Sequence, residues 1–178
     1  MSAPGSENVV LVGFMGSGKS SVGRLVARTL QGRFVDTDRL VVELAGREIT
    51  EIFATEGEAF FRQQESRALK SLRGQGGLVI ATGGGIVTVP KNVTMLKELG
   101  LVVWLSASEE IIWDRVSRNQ KRPLLHTPDP RSTVRELLGK RNPLYEQAAD
   151  LQVDTTHLTH ADVAELICKQ VKAWPGRK

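Results

Sequence analysis

The chain has 178 residues, 40% of them apolar, enough for one cooperative core and too few for two ordinary domains, so a single domain over residues 1–178 is expected. Twenty-four Lys and Arg against 20 Asp and Glu leave a formal charge of +4, which suits a small anionic ligand and falls short of the basic excess that strong nucleic-acid binding needs. A single cysteine, Cys168, excludes an internal disulfide scaffold, and there is neither a signal-like start nor a run of about 18 apolar residues; a cytoplasmic monomer without a membrane or nucleic-acid partner is expected.

Residues 9–12, β-branched and apolar, stop at Gly13 and read as a short buried strand entering a glycine turn. After Lys19, the residues Val22, Leu25, Val26, Ala27 and Leu30 recur at helical spacing, with Gly32 as the expected C-terminal cap. Residues 34–36 form a second strand. The stretch 38–72 is helical by pattern, broken near Gly46 and Gly57, with Thr50 and Glu51 able to start one of its helices. A third strand, Leu78–Ala81, is cut off by Gly83, Gly84 and Gly85; Pro90–Leu99 is a helix with Gly100 past its end. Residues 101–105 give a fourth strand, and Ser108 with Glu109 and Glu110 brings N-capping chemistry to the next helix. Residues 117–131 are basic and proline-rich (Arg118, Lys121, Arg122, Arg131; Pro123, Pro128, Pro130) and read as a long loop, a lid or a surface excursion. A helix then ends near Lys140, residues 152–154 form a fifth strand, and a last helix runs from about Thr159 to Ala173. Strand and helix alternate throughout, the signature of an α/β fold with a parallel sheet covered on both faces.

Gly13-Phe14-Met15-Gly16-Ser17-Gly18-Lys19-Ser20 fits G-x-x-x-x-G-K-[ST] between a predicted strand and a predicted helix, the context this phosphate loop requires. Its glycines let successive N–H groups approach phosphate oxygens, and the following helix adds its positive N-terminus. Lys19 supplies a mobile charge for the outer phosphates of a nucleoside triphosphate, and the Ser20 hydroxyl is a hard ligand suited to Mg²⁺. Without an N-K-x-D or D-x-x-G motif a GTPase is disfavoured, which leaves the small-molecule kinases.

Asp36-Thr37-Asp38 closes the second strand, whose carboxyl end faces the ligand crevice of such a sheet. If the extended backbone persists through Asp38, both carboxylates point one way, one toward the Mg²⁺ shell and one toward an attacking hydroxyl; either alone can instead cap a helix, Asp38 above all. In Phe60-Phe61-Arg62-Gln63-Gln64-Glu65 the Arg and Glu can pair. An oriented guanidinium fits a carboxylate ligand, although a surface ion pair on an amphipathic helix is the simpler reading of that segment alone. The triple glycine lets backbone approach a ligand, or merely turns. Arg122-Pro123-Leu124-Leu125 puts a cation in the lid, and Arg141-Asn142-Pro143-Leu144-Tyr145 puts another after a helix end, where it reaches a ligand or neutralises that terminus.

In this order, from Val9 to about Asp154, the motifs resemble the shikimate kinase family. The resemblance implies a three-layer α/β/α P-loop fold of the nucleoside monophosphate kinase type, with a five-stranded parallel sheet, a substrate-binding helical region at 37–69 and a lid at 117–131. It implies an enzyme that phosphorylates the 3-hydroxyl of shikimate with ATP and Mg²⁺ in aromatic amino-acid biosynthesis. Carried over, Gly13, Gly16, Ser17, Gly18, Lys19, Ser20 and Ser21 hold the ATP phosphates, and Ser20 and Asp36 serve Mg²⁺. Asp38 grips the shikimate hydroxyls and is the candidate base, Lys19 and Arg122 stabilise the transferring group, and Arg115 lies against adenine. Arg62, Arg141 and the Gly84 backbone hold the substrate carboxylate and hydroxyls, with Phe53 and Phe61 near the ring. The family's segment after the last strand closes over adenine; here it reads Asp154-Thr155-Thr156-His157-Leu158, without arginines. The alternatives are another small-molecule P-loop kinase, acting on gluconate or a nucleotide, and a nucleotide-binding module without catalysis.

Overall fold

Unbroken apolar runs give the central strands two buried faces, and the rest of the chain is layered on them. The computed structural model describes residues 7–118 and 126–176. Its elements are β1 (Asn8–Val12), α1 (Lys19–Leu30), β2 (Arg33–Asp36), α2 (Thr37–Ala45), α3 (Ile49–Thr55), α4 (Gly57–Ser71), β3 (Leu78–Ala81), a 3₁₀ turn (Ile86–Thr88), α5 (Pro90–Leu99), β4 (Gly100–Ser106), α6 (Glu109–Ser117), α7 (Pro130–Ala148), β5 (Leu151–Asp154) and α8 (His160–Ala173). The strands pair in parallel in the order β2-β3-β1-β4-β5. Along β1, Val10 and Val12 face a core with Leu69, Leu96, Ile112 and Tyr145, while Val9 and Leu11 face Val22 and Val26 of α1 and Val163 and Ile167 of α8. This is the period of two expected of a strand, and it makes the three-layer α/β/α arrangement. Val41, Ile52, Phe61 and Ala68 form a smaller core that ties α2, α3 and α4 together, the helical region expected at 37–69. At the amino edge of the sheet buried Asn8 joins three segments: its amide donates to the Gln75 and Leu99 carbonyls at 2.8 and 2.9 Å and its oxygen accepts from Leu78 N–H at 2.8 Å.

Several boundaries differ from the sequence reading. Gln31, not Gly32, takes the left-handed cap of α1, at φ 55°. Glu48 precedes α3, so Thr50 lies inside its first turn. Extended backbone stops at Asp36; the Asp36 carboxylate caps α2 by accepting from Asp38 N–H at 3.0 Å, so the capping role falls on Asp36 and Asp38 is helical. Both ends of the expected 117–131 loop are helical, Ser117 closing α6 and Pro130 and Arg131 opening α7 behind the Asp129 cap. Arg122 and its neighbours Pro123, Leu124 and Leu125 lie outside the described residues. The helix expected to end near Lys140 continues to Ala148 with Pro143 inside it. Proline forfeits one hydrogen bond and presses on the carbonyl four residues earlier, here that of Gly139.

The connection after β1 packs α1 on one face and that after β3 packs α5 on the other. Adjacent strands whose connections part in this way leave a crevice at their carboxyl ends.

Candidate active site

The loop from Gly13 to Gly18 fills that crevice from the β1 side. Gly18 stands at φ 94° as the residue before α1, a backbone geometry that only glycine adopts cheaply. Lys19 is folded onto its own loop, donating to the Gly13 and Phe14 carbonyls at 2.7 and 2.9 Å and to Ser17 Oγ at 3.5 Å. Ser17 is buried, so it and Gly13 form the inner side of the loop. Met15, Gly16, Gly18, Lys19, Ser20, Ser21, Asp36, Asp38, Thr82, Gly83 and Gly84 line one cavity of about 240 Å³. The sequence-predicted phosphate loop, both aspartates and Gly84 are therefore brought together.

Ser20 Oγ donates to Asp36 Oδ2 at 3.0 Å. A hydroxyl and a carboxylate side by side at a phosphate loop fit Mg²⁺, which takes one or two protein oxygens and leaves its other positions to phosphates and water. No cluster of three or more His, Cys, Asp or Glu suited to a metal occurs among the described residues.

The second wall comes from α4. Arg62 donates to Glu65 at 2.6 Å and to Glu58 at 2.8 Å. This is not the surface ion pair of the simpler sequence reading, because Glu65 is 0% and Arg62 11% exposed. The guanidinium also lies 5.3 Å over the Phe61 ring, which packs on Phe53 at 4.9 Å. Burial pushes the Glu65 carboxyl up to about 7; Arg62 opposes the shift and the neighbouring Asp38 adds to it. Burial works against the Arg62 charge, but pairing with Glu65 and Glu58 holds its proton more tightly than usual.

The three glycines after β3 join these parts. A Cβ on Gly83 would stand 2.6 Å from Glu65 Oε1 and 2.7 Å from Asp38 Oδ1; on Gly84, 3.2 Å from Met15 N; on Gly85 it would overlap both terminal nitrogens of Arg62. Each glycine thus touches a different part of the site, and a side chain has no room at Gly83 or Gly85 unless a neighbour moves. Gly83 N–H donates to the buried Thr37 hydroxyl at 3.1 Å, and the Gly84 carbonyl accepts from Tyr145 OH. Arg141, predicted beyond a helix end, is inside α7, 5% exposed, with its guanidinium 5.7 Å over the Phe14 ring of the phosphate loop.

Arg115 on α6 donates to the Gly16 carbonyl at 3.2 Å and to the Thr155 hydroxyl and carbonyl at 3.4 Å. It therefore bridges the phosphate loop and the segment after β5. Sequence reasoning missed Thr37, Tyr145 and Thr155. Of these only Tyr145 carried a signal, four residues after Arg141 and so on the same helix face.

The comparisons with known proteins agree with this geometry. The family model described as "Shikimate kinase" matches residues 15–172. The chain is similar to a shikimate kinase of Thermodesulfovibrio yellowstonii, 46% identical over 92% of this chain and 94% of the relative. It is also similar to one of Geobacter sulfurreducens, 46% identical over 97% and 95%. Among solved structures, a shikimate kinase from Acinetobacter baumannii in complex with shikimate superposes with a TM-score of 0.90, 38% identity and 94% coverage of both chains. One from Aquifex aeolicus gives 0.81, 32% identity and coverage of 93% and 96%.

Proposed function

The chain belongs to the shikimate kinase family, and from that premise we propose which of its residues carry out the phosphorylation of shikimate by ATP. The reaction moves the terminal phosphoryl group of ATP to the 3-hydroxyl of shikimate and releases ADP and shikimate 3-phosphate. The loop amides from Gly16 to Ser21 and the Lys19 ammonium hold the phosphates, and Arg115 lies against the base. Arg62 and Arg141 take the shikimate carboxylate, with the Gly84 backbone and Asp38 on its hydroxyls and Phe53 and Phe61 beside the ring. Asp38 orients the attacking hydroxyl and accepts its proton as the oxygen–phosphorus bond forms and the bond to ADP breaks. Ser20 and Asp36 hold Mg²⁺, which supplies charge neutralisation to the phosphates when bound. Arg122 completes the set as the lid cation. Catalysis here is positioning and charge neutralisation in a loose transition state, so alignment matters more than the strength of the base.

The observation that carries the reading is the close approach of Gly84 to Met15 N, which joins the phosphate loop to the glycine segment that Asp38 and Arg62 border. The reading extends to a cytoplasmic monomer, supported by the free, buried Cys168 and by exposed large apolar residues limited, among the described residues, to Leu158 and Leu166. A gluconate or nucleotide acceptor, or a module without catalysis, gives way to the family assignment. The test is a coupled ADP-release assay with ATP, Mg²⁺ and either shikimate or a ring polyol lacking the carboxylate. Turnover is expected with shikimate alone; equal rates with the polyol would defeat the assignment of Arg62 and Arg141. Asp38→Asn should retain nucleotide binding by calorimetry and lose about a hundredfold or more in kcat.

A further inference from the structure

Tyr145 is the one tyrosine in the chain, and its side chain is completely buried, its ring 5.9 Å from that of Trp104. A buried phenol needs partners for its polar end. Here the partner belongs to the shikimate side of the site: Tyr145 OH donates to the Gly84 carbonyl, and the Arg141 cation, one helical turn earlier on α7, acts electrostatically on the phenol. A carbonyl only accepts, so the Tyr145 hydroxyl is committed as the donor to Gly84. Because a peptide unit is planar, holding the Gly84 carbonyl also sets the plane that carries Gly85 N–H, and Gly85 abuts the Arg62 guanidinium. One hydroxyl therefore sets the lie of the Gly84–Gly85 peptide, against which the Arg62 guanidinium packs.

We propose that Tyr145 is a positioning residue for phosphoryl transfer, its hydroxyl holding the Gly84 carbonyl, and with it the Gly84–Gly85 peptide, at a fixed angle so that shikimate meets a preformed clamp. The proposal rests on the assignment of Arg141 and Gly84 as shikimate contacts. Burial also pushes the phenol up to about 12, so it keeps its proton, and its role as donor, across the working pH range.

The test is Tyr145→Phe, which keeps the ring, its volume and its packing on Trp104 and removes only the hydroxyl. The KM for shikimate is expected to rise at least tenfold, with the KM for ATP within twofold and a smaller change in kcat. A shikimate KM within twofold of the parent, or an equal rise for both substrates as a purely structural role would give, overturns the proposal. Should the variant not fold, the single tyrosine can be replaced biosynthetically by 3-fluorotyrosine, giving one fluorine resonance in the intact enzyme. Displacement of that resonance by shikimate supports the proposal, and a resonance unmoved at saturating shikimate overturns it. Arg141→Lys separates the two levels: a parental shikimate KM in that variant would mean that the site assignment itself is wrong.

Discussion

Glu65 makes the stability of the fold respond to pH. Burial raises its carboxyl from an ordinary 4.5 to about 7, so the folded state holds this proton more tightly than the unfolded chain does. The stabilisation is complete below the ordinary range and is lost as pH rises through about 7. Between those limits folding stability should fall by up to about 1.4 kcal/mol per pH unit from this group. Urea unfolding of Glu65→Gln should show a flatter dependence across pH 4.5 to 7; an unchanged slope would contradict the assignment. Gly85 offers a test of the clamp that leaves the fold alone. The three heavy atoms nearest a methyl group there all belong to the far end of the Arg62 side chain and not to backbone, and its φ of −97° suits any residue. Gly85→Ala is therefore expected to melt within a few degrees of the parent while its shikimate KM rises tenfold or more. Lys19, Ser20 and Gly18 were legible in the sequence because the phosphate loop is a local motif whose spacing encodes its geometry. The Glu65 environment was not, because its neighbours include Gly83 and Asp38, which are distant in sequence and meet it only in the fold.

At the scale of elements, apolar, largely β-branched runs announced the inner strands, β1 and β3 running into glycine turns and β4 starting at Gly100. Helix limits were harder to read, since they depend on which of several polar residues wins the cap. Asp36 took α2 from Asp38, and Gln31 took the end of α1 from Gly32. Pro143 argued locally for a break, whereas α7 passes through it with one hydrogen bond fewer and keeps Arg141 and Tyr145 on one face. The firmest cap belongs to α8, where Thr159 and Asp162 bond reciprocally to each other's backbone N–H. Thr159→Ala should cost about 1 kcal/mol and lower Tm by about 2–4 °C in a chain of this size, measured by calorimetry. An unchanged Tm would mean that the end of α8 adds nothing to the packing of α8 on α1.

For the whole molecule, the order of the motifs was enough to indicate a five-stranded parallel sheet, because alternating strand and helix leaves few ways to cover both of its faces. What order could not convey is that the loop after β1 meets the glycine segment after β3, since that contact depends on the register of β1 against β3. Ligand should stabilise the fold accordingly. ATP at about a hundred times its Kd adds about 2.7 kcal/mol, a rise of roughly 5–10 °C in Tm, and chelation of Mg²⁺ should shrink that rise and abolish turnover. A shift indifferent to chelator would remove Ser20 and Asp36 as the metal pair. The Arg141 guanidinium lying over Phe14 also bears on inhibition. A drug-like acid lodged against that arginine would press on the nucleotide cradle through a single aromatic plate, and an escape mutation that reshaped the plate to expel the drug would loosen the enzyme's hold on ATP in the same stroke.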